Sequence, residues 1–204
     1  MNLAISAPLT VLAAFAVSEF LGYWLHRLLH SEKIAFLSRN HMIHHLVVYA
    51  PDKPMRPDRK YLKATYGRAS LDGIGLEWLI PAGIILTTFF TAFTILGTGI
   101  LHRAIFVVSS FAWAWMMFHY MHDAMHLKDF WMERSSPLSR WFLGARRLHD
   151  IHHMDLADSG RMETNFGICF FLFDRLFGTI EKRHNAFNQT GLRASRRRYA
   201  FIFE

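Results

Sequence analysis

Three long apolar runs constrain the fold of this chain more than any other feature. They cover residues 3–25, 76–96 and 101–120. The first run, of about 23 residues, would be roughly 34 Å long as a helix, which is enough to cross a bilayer core. Because it has no basic segment before it and no polar cleavage site after it, we interpret it as a membrane helix rather than a signal peptide. The short link Gly97-Thr98-Gly99 predicts that the other two runs form a helical hairpin.

Basic residues predict the orientation of these helices. Three crossings would place the segments 26–75 and 121–204 on the same side of the membrane. Both segments are rich in Lys and Arg, whereas no basic residue precedes Arg27. The positive-inside rule therefore predicts an N-terminus outside and both segments in the cytoplasm. The expected fold class is all-α: a single membrane-embedded domain over residues 1–204, with a cytoplasmic, histidine-rich helical cap on a bundle of membrane helices.

Composition narrows the kind of site that such a domain can contain. Hydrophobic residues make up 52% of the chain, and the mean hydropathy of +0.13 is high for a soluble domain. The single cysteine, Cys169, excludes an intramolecular disulfide and disfavours cysteine-based zinc or iron–sulfur sites. The 13 histidines instead make an imidazole-bound metal the first hypothesis to test. Because topology accounts for the positive charge, we expect no nucleic-acid partner.

Ten of the histidines form four motifs built on spacings of three and four residues. Two motifs read HxxxH and two read HxxHH. On an α-helix, these spacings bring side chains to one face. The motifs lie beyond the first and third apolar runs, where converging helices would hold two metal ions with open coordination positions. The predicted ligands are His26, His30, His41, His44, His45, His122, His126, His149, His152 and His153.

Polar residues near these motifs are candidates for a supporting role. Glu19 shares a helical stripe with the first motif, so it could orient a ligand imidazole or form a plain interhelical hydrogen bond. Asp123 and Asp150 adjoin ligand histidines, and the same alternatives apply to them. His119 could be a ligand, a proton shuttle or a packed residue, and we favour a supporting position. The candidate catalytic residues are therefore His119, Glu19 and Asp150, and no role is expected for His102 and His184.

With these motifs placed, the chain resembles the fatty acid hydroxylase superfamily, whose integral-membrane enzymes include sterol desaturases, fatty acid 2-hydroxylases and sphingolipid hydroxylases. The resemblance covers residues 15–182. It rests on the four histidine motifs and on the segment 165–179, NFGICFFLFDRLFGT. Two departures from the family pattern are the shorter spacing in the first motif and Phe173 where the pattern has Trp. Neither removes a predicted ligand.

The resemblance implies an enzyme, a membrane-bound di-iron oxygenase. In the family, the histidine motifs hold a dinuclear centre, functionally iron, which activates O2 to hydroxylate or desaturate an unactivated C–H bond of a lipid. Carried over, the ten histidines would hold two iron ions, or zinc after purification, and O2 would be the co-substrate. The lipid substrate would be a fatty acyl, sphingoid or sterol-like chain in the membrane. The short chain carries no fused electron-transfer domain, which implies a separate ferredoxin or cytochrome b5-like donor with its reductase and favours a bacterial inner membrane.

A histidine-rich membrane carrier of metal or haem is the alternative function. Haem needs one or two axial histidines, which would leave most of the ten unexplained. A metal transporter would place its ligands near the middle of the bilayer rather than at helix ends. The absence of HExxH disfavours a zinc protease of that class.

Two basic segments have no single interpretation. The proline-containing loop 48–75, expected to be irregular at first and then a basic surface helix, is either a connector or a substrate gate. The arginines at 193 and 196–198 either bind anionic headgroups or an acidic redox partner, or belong to a solvated tail.

Overall fold

The computed structural model describes residues 3–63, 70–71, 74–75 and 79–204. Within these ranges the chain is helical, apart from loops and one antiparallel pair of two-residue strands, β1 (Ser70–Leu71) and β2 (Ile74–Gly75). The α-helices are α1 (Leu3–Leu29), α2 (Ala35–Ile43), α3 (Leu79–Ile95), α4 (Ile100–Trp115), α5 (His122–Met125), α6 (Ser139–Met154), α7 (Leu172–Phe177) and α8 (Gln189–Arg198). The all-α prediction is confirmed.

Each predicted membrane run forms a helix, although residues 76–78 lie outside the described part of the chain. A π-helical turn, Met116–Met121, joins α4 to α5, so that one apolar helix runs over Ile100–Met125. By length and composition, Ser6–Leu29 and Ile100–Met125 could each cross a membrane. The helix α3 is shorter, with 17 residues. At 1.5 Å per residue it is roughly 25 Å long, less than a typical hydrocarbon core.

The two long apolar helices pack closely against each other. A Cβ atom on Gly22 would lie 1.8 Å from the ring of Phe118, so only glycine permits this approach. About two turns away on α1, Phe15 stacks on Trp113 with 4.3 Å between ring centroids. The indole N–H of Trp113 also donates a 2.7 Å hydrogen bond to the carboxylate of Glu19. This bond gives an ionisable side chain in an apolar helix the partner that it needs.

Two apolar cores hold the cap together. The first packs α6 against the end of the long helix and the segment that precedes α7; among its residues are Phe142, Met121, Met125 and Phe171. The second packs α2 and the π-helical turn that follows it, His44–Val48, against α8. Leu192, Tyr199 and Ile202 are buried in this second core.

The C-terminal segment is therefore a docked helix, and its interpretation as a solvated tail is wrong. The hydroxyl of Tyr199 donates a 2.6 Å hydrogen bond to the carbonyl of His30. The side chains of Arg196 and Arg198 pair with Asp52 and Glu32. Three apolar residues within eleven positions supply enough buried surface to anchor a basic helix.

The loop after the second histidine motif lies against α5 and α6. Residues 50–63 form no helix or strand, as their prolines predicted. The guanidinium of Arg56 donates to both carboxylate oxygens of Asp150, at 2.8 and 2.9 Å, and the backbone N–H of Lys128 donates to the carbonyl of Asp58. The basic surface helix expected in the later part of the loop 48–75 is not formed by its described residues. Residues 58–63 have no helix, and 70–71 and 74–75 form the strand pair, while 64–69 and 72–73 lie outside the described residues.

Candidate metal centre

Nine of the ten predicted ligands converge in two clusters. Within each cluster, one ligand atom from every histidine lies within 4.8 Å of those of the others. The first cluster contains His26, His30, His41, His45 and His152, and the second contains His44, His126, His149 and His153. All are buried except His41, which is partly exposed. The clusters adjoin, since the rings of His45 and His153 stack with 3.9 Å between centroids.

Each HxxHH motif contributes to both clusters. His44 and His45 begin the π-helical turn after α2, and His152 and His153 lie in the last turn of α6. Adjacent residues on an α-helix point about 100° apart, so neighbouring histidines face different clusters. The expectation that every motif presents its imidazoles in one direction is therefore wrong for these two motifs. They bridge the two clusters instead.

His122 lies beside the second cluster rather than inside it. Its ring centroid is 4.8 Å from that of His44 and 5.1 Å from that of His149. Its Nδ1 atom is 3.3 Å from the carboxylate of Asp123. The structure thus brings the tenth predicted ligand to the edge of the site, and its role as a ligand stays a prediction.

Backbone carbonyls orient four of the cluster rings. A carbonyl only accepts hydrogen bonds, so the facing Nδ1 carries the proton and Nε2 keeps its lone pair. Ligand histidines commonly use this arrangement, because it fixes both the tautomer and the ring orientation. The four Nδ1–carbonyl pairs are His26 with Phe166 (2.5 Å), His152 with Thr164 (2.7 Å), His126 with Met55 (3.1 Å) and His153 with Tyr49 (3.1 Å).

The Nε2 atoms on the inner side of these rings fit a metal. Among the described residues, the buried Nε2 atoms of His26 and His152 have no hydrogen-bond partner. The Nε2 of His126 lies 3.0 Å from the Nε2 of His149, where its lone pair meets another ring nitrogen. Two nitrogen ligands about 2.1 Å from one metal lie about 3.0–3.4 Å apart. A metal would therefore satisfy groups that are otherwise costly to bury.

Burial lowers the pKa of the cluster histidines that lie outside the candidate membrane spans. Their pKa values fall well below 6.5 because a buried site disfavours the charged imidazolium, and neighbouring histidines add to the effect. The residues concerned are His30, His41, His44, His45, His126, His149, His152 and His153. At neutral pH they are uncharged, which is the form that binds metal ions.

A hydrogen-bond network centred on Asp174 holds the segment beside the first cluster. The carboxylate of Asp174 accepts the backbone N–H groups of Phe166 and Gly167, each at 2.7 Å, and the hydroxyl of Thr179 at 2.8 Å. A Cβ atom on Gly167 would lie 2.8 Å from this carboxylate, which explains the glycine. The network fixes the carbonyl of Phe166 against His26. The sequence marked this segment only through its resemblance to the family.

Glu19 and Asp150, two of the candidate catalytic residues, have partners outside the clusters. Glu19 accepts the hydrogen bond from Trp113, which is the second of the two interpretations given for it. The carboxylate of Asp150 pairs with Arg56 and, among the described residues, forms no hydrogen bond or ion pair with a histidine. Any effect of either residue on the metal site must therefore act through a neighbouring side chain.

The remaining histidines occupy separate places. The Nδ1 of His119 is 3.6 Å from the carboxylate of Asp123, and His119 belongs to neither cluster. The Nε2 of His102 lies 2.9 Å from the hydroxyl oxygen of Ser6, which links α4 to α1. His184 is exposed. A catalytic role for His119 stays a prediction.

Two tyrosines at the second cluster were not predicted. The buried ring of Tyr49 stacks on His126 with 3.9 Å between centroids, and its hydroxyl accepts the backbone N–H of Leu62. Burial raises the pKa of Tyr49 to about 12, so its hydroxyl stays protonated. The hydroxyl of Tyr61 lies 3.1 Å from the Nδ1 of His44. Tyr49 lies four residues after His45, a spacing that could have placed it on the same helix face as the cluster histidines. No feature of the loop sequence indicates that Tyr61 lies at the site.

The sequence matches the family model described as fatty acid hydroxylase over residues 74–179, just over half of the chain. This stretch contains the third and fourth histidine motifs, and the structure adds the first two to the same clusters. Neither the curated proteins nor the solved structures contain a match. On the family match, the chain belongs to the fatty acid hydroxylase family.

Proposed function

We propose that this protein is a membrane-bound, O2-dependent di-iron oxygenase that hydroxylates or desaturates an unactivated C–H bond of a lipid. One observation carries the proposal: nine imidazoles form two adjoining clusters of five and four. Family membership and two apolar helices that could cross a membrane support a lipid substrate. A lone structural metal would need only about four ligands, so the number of histidines favours a dinuclear centre.

The histidines would hold one iron ion in each cluster, with His122 as a further ligand of the second. Imidazole also suits zinc and copper, so the choice of iron rests on the family. Bound iron would supply the activation of O2. The carbonyls of Phe166, Thr164, Met55 and Tyr49 would keep each Nε2 lone pair directed inward.

Several residues around the clusters would support the ligands. Asp150 would act through Arg56, whose loop supplies the Met55 carbonyl to His126. Glu19 would fix α1 against α4 through Trp113. His119, on the edge of the site, would exchange protons with solvent. Burial of the other histidines would keep water from the reacting centre.

The proposal also includes a substrate, an electron donor and a position in the membrane. The substrate would be a fatty acyl, sphingoid or sterol-like chain taken from the membrane. Electrons would come from a separate ferredoxin or cytochrome b5-like protein with its reductase. The N-terminus would lie outside and the histidine clusters on the cytoplasmic face of a bacterial inner membrane.

Substitution of one histidine in each cluster tests the proposal. We expect His149→Ala and His152→Ala each to lower the metal content and to abolish formation of oxidised lipid, measured by mass spectrometry with O2 and an electron donor. His184→Ala is the matched control, because it removes an exposed histidine from outside both clusters, and it should change neither quantity. Retained turnover in both cluster variants would contradict the proposal. A haem absorption band without lipid oxidation would favour a haem carrier.

A further inference from the structure

An open groove with an aromatic floor lies between α6 and the segment before α7. Its volume is about 730 Å³. The rings of Trp141 and Phe170 lie 5.7 Å apart along the floor. None of the cluster histidines lines it. The groove is therefore distinct from the candidate metal centre.

Exposed cations surround this floor. They are Arg140, Arg147, Arg175 and Lys182. The groove lining includes no Asp or Glu, and within the described part of the chain none of the four cations forms an ion pair. Arg147 and Arg175 donate to the carbonyls of Lys182 and Phe170, which ties both guanidinium groups to the groove wall. Two of the four cations are thus fixed on the groove wall, and none of the four is paired with a carboxylate among the described residues.

The aromatic floor is continuous with a candidate membrane span. Phe170 stacks on Trp113 at 5.7 Å with an angle of 15° between the rings, and Trp113 belongs to the span Ile100–Met125. Phe170, Leu172 and Leu176 are 42%, 54% and 68% exposed, which extends the apolar surface beyond the groove. A water-soluble anion would use the cations alone and leave this surface uncovered. A molecule with an anionic head and an apolar chain would use both.

We propose that this groove binds an anionic membrane phospholipid, with its headgroup phosphate on the four cations and an acyl chain on the Trp141–Phe170 floor. Charge complementarity selects the headgroup, and the apolar floor beside Trp113 selects a lipid over a soluble anion. An acidic protein would match the charge but would not need the apolar floor. The inference does not depend on oxygenase activity, because binding requires no turnover.

Binding of short-chain phosphatidylglycerol to the detergent-purified full chain tests this inference. We expect saturable binding by native mass spectrometry, with phosphatidylcholine of the same chains and free glycerol phosphate each about tenfold weaker or more. The variant Arg140→Gln/Lys182→Gln removes two cations whose side chains make no hydrogen bond to the described residues. It should weaken phosphatidylglycerol binding by about tenfold or more. The matched control, Arg193→Gln/Arg197→Gln, removes two exposed arginines from α8 and should change binding by less than about twofold.

Four outcomes would overturn the inference. Equal binding of phosphatidylcholine would show that the groove does not select lipids by the net charge of their headgroups. Equal binding of glycerol phosphate would reduce the groove to a simple anion site. Equal weakening in the α8 control would mean that overall charge, and not the groove, attracts the lipid. Unchanged lipid binding in the groove variant, together with slower reduction by an acidic donor protein, would assign the groove to protein docking instead.

Discussion

Asp174 forms no hydrogen bond with a cluster histidine, yet it helps to fix the position of one. Its carboxylate holds the backbone N–H groups of Phe166 and Gly167, so the carbonyl of Phe166 stays 2.5 Å from the Nδ1 of His26. Burial raises the pKa of Asp174, and its hydrogen bonds to Thr179, Gly167 and Phe166 oppose that rise by stabilising the carboxylate. The Phe166 carbonyl, which orients the His26 ring, is thus held in place by the buried carboxylate of Asp174.

Replacement of Asp174 by asparagine should disturb the first cluster without changing any ligand. The amide would place a donor opposite one backbone N–H, which breaks a hydrogen bond and releases the Phe166 carbonyl. We expect metal content and turnover to fall, with turnover about 10–100-fold lower, as for other groups that orient metal ligands. The exposed Asp158→Asn is the control and should behave like the unmodified protein. Normal metal content in the Asp174 variant would show that the network does not support the site.

Sequence spacing predicted which histidines come together better than it predicted their surroundings. Repeats of three and four residues selected ten histidines, of which nine form the two clusters. The spacing did not reveal that His44 and His45 separate into two clusters, since that depends on how the helices are packed. Nor could it identify the Nδ1 acceptors, because they are backbone carbonyls, which every residue carries.

The loop 50–63 forms part of the wall of the second cluster. It supplies the Met55 carbonyl to His126, and Arg56 ties it to Asp150 on α6. The prolines predicted an irregular segment, but the ion pair joins residues 94 positions apart and has no local signature.

Loss of Arg56 should loosen this wall. In Arg56→Ala, Asp150 would lose a two-point, charge-assisted contact, at a cost of about 1–2 kcal/mol after allowance for partial exposure. Arg59→Ala, in the same loop as Arg56, removes a guanidinium that is 75% exposed and pairs with Asp129, so it should change stability much less than Arg56→Ala does. Thermal unfolding and metal content of both variants provide the comparison. Equal effects in the two variants would contradict the structural role given to Arg56.

The two clusters join parts of the chain that are distant in sequence. Histidines from α1, from α2 with its π-helical turn, from the end of the long apolar helix and from α6 meet at one place. The apolar runs and histidine motifs together predicted this helical assembly. They did not predict the docking of the basic segment 189–202 through the buried residues Leu192, Tyr199 and Ile202, or the short strand pair β1 and β2. Without metal, the assembly buries many ring nitrogens that lack partners.

The metal-free protein should lose stability as the pH falls below about 6.5. Above that pH, histidines in both folded and unfolded chains are neutral, so they contribute no pH dependence. Below it, the unfolded chain takes up protons that the buried imidazoles, with their lowered pKa values, do not. Each such histidine lowers the free energy of unfolding by about 1.4 kcal/mol per pH unit. A chelator-treated sample should therefore unfold at a lower temperature at pH 5.5 than at pH 7.5, and an unchanged temperature would contradict burial of the uncharged clusters.

Metal content per chain is the most direct test of a dinuclear histidine site. The protein should be purified in detergent without chelators and without a polyhistidine tag, and then subjected to elemental analysis. We expect close to two metal ions per chain, as iron or as zinc that has replaced it, because the structure forms two clusters of ligands. One metal ion or none, in protein whose cluster histidines are all intact, would contradict the dinuclear site and the oxygenase function that depends on it.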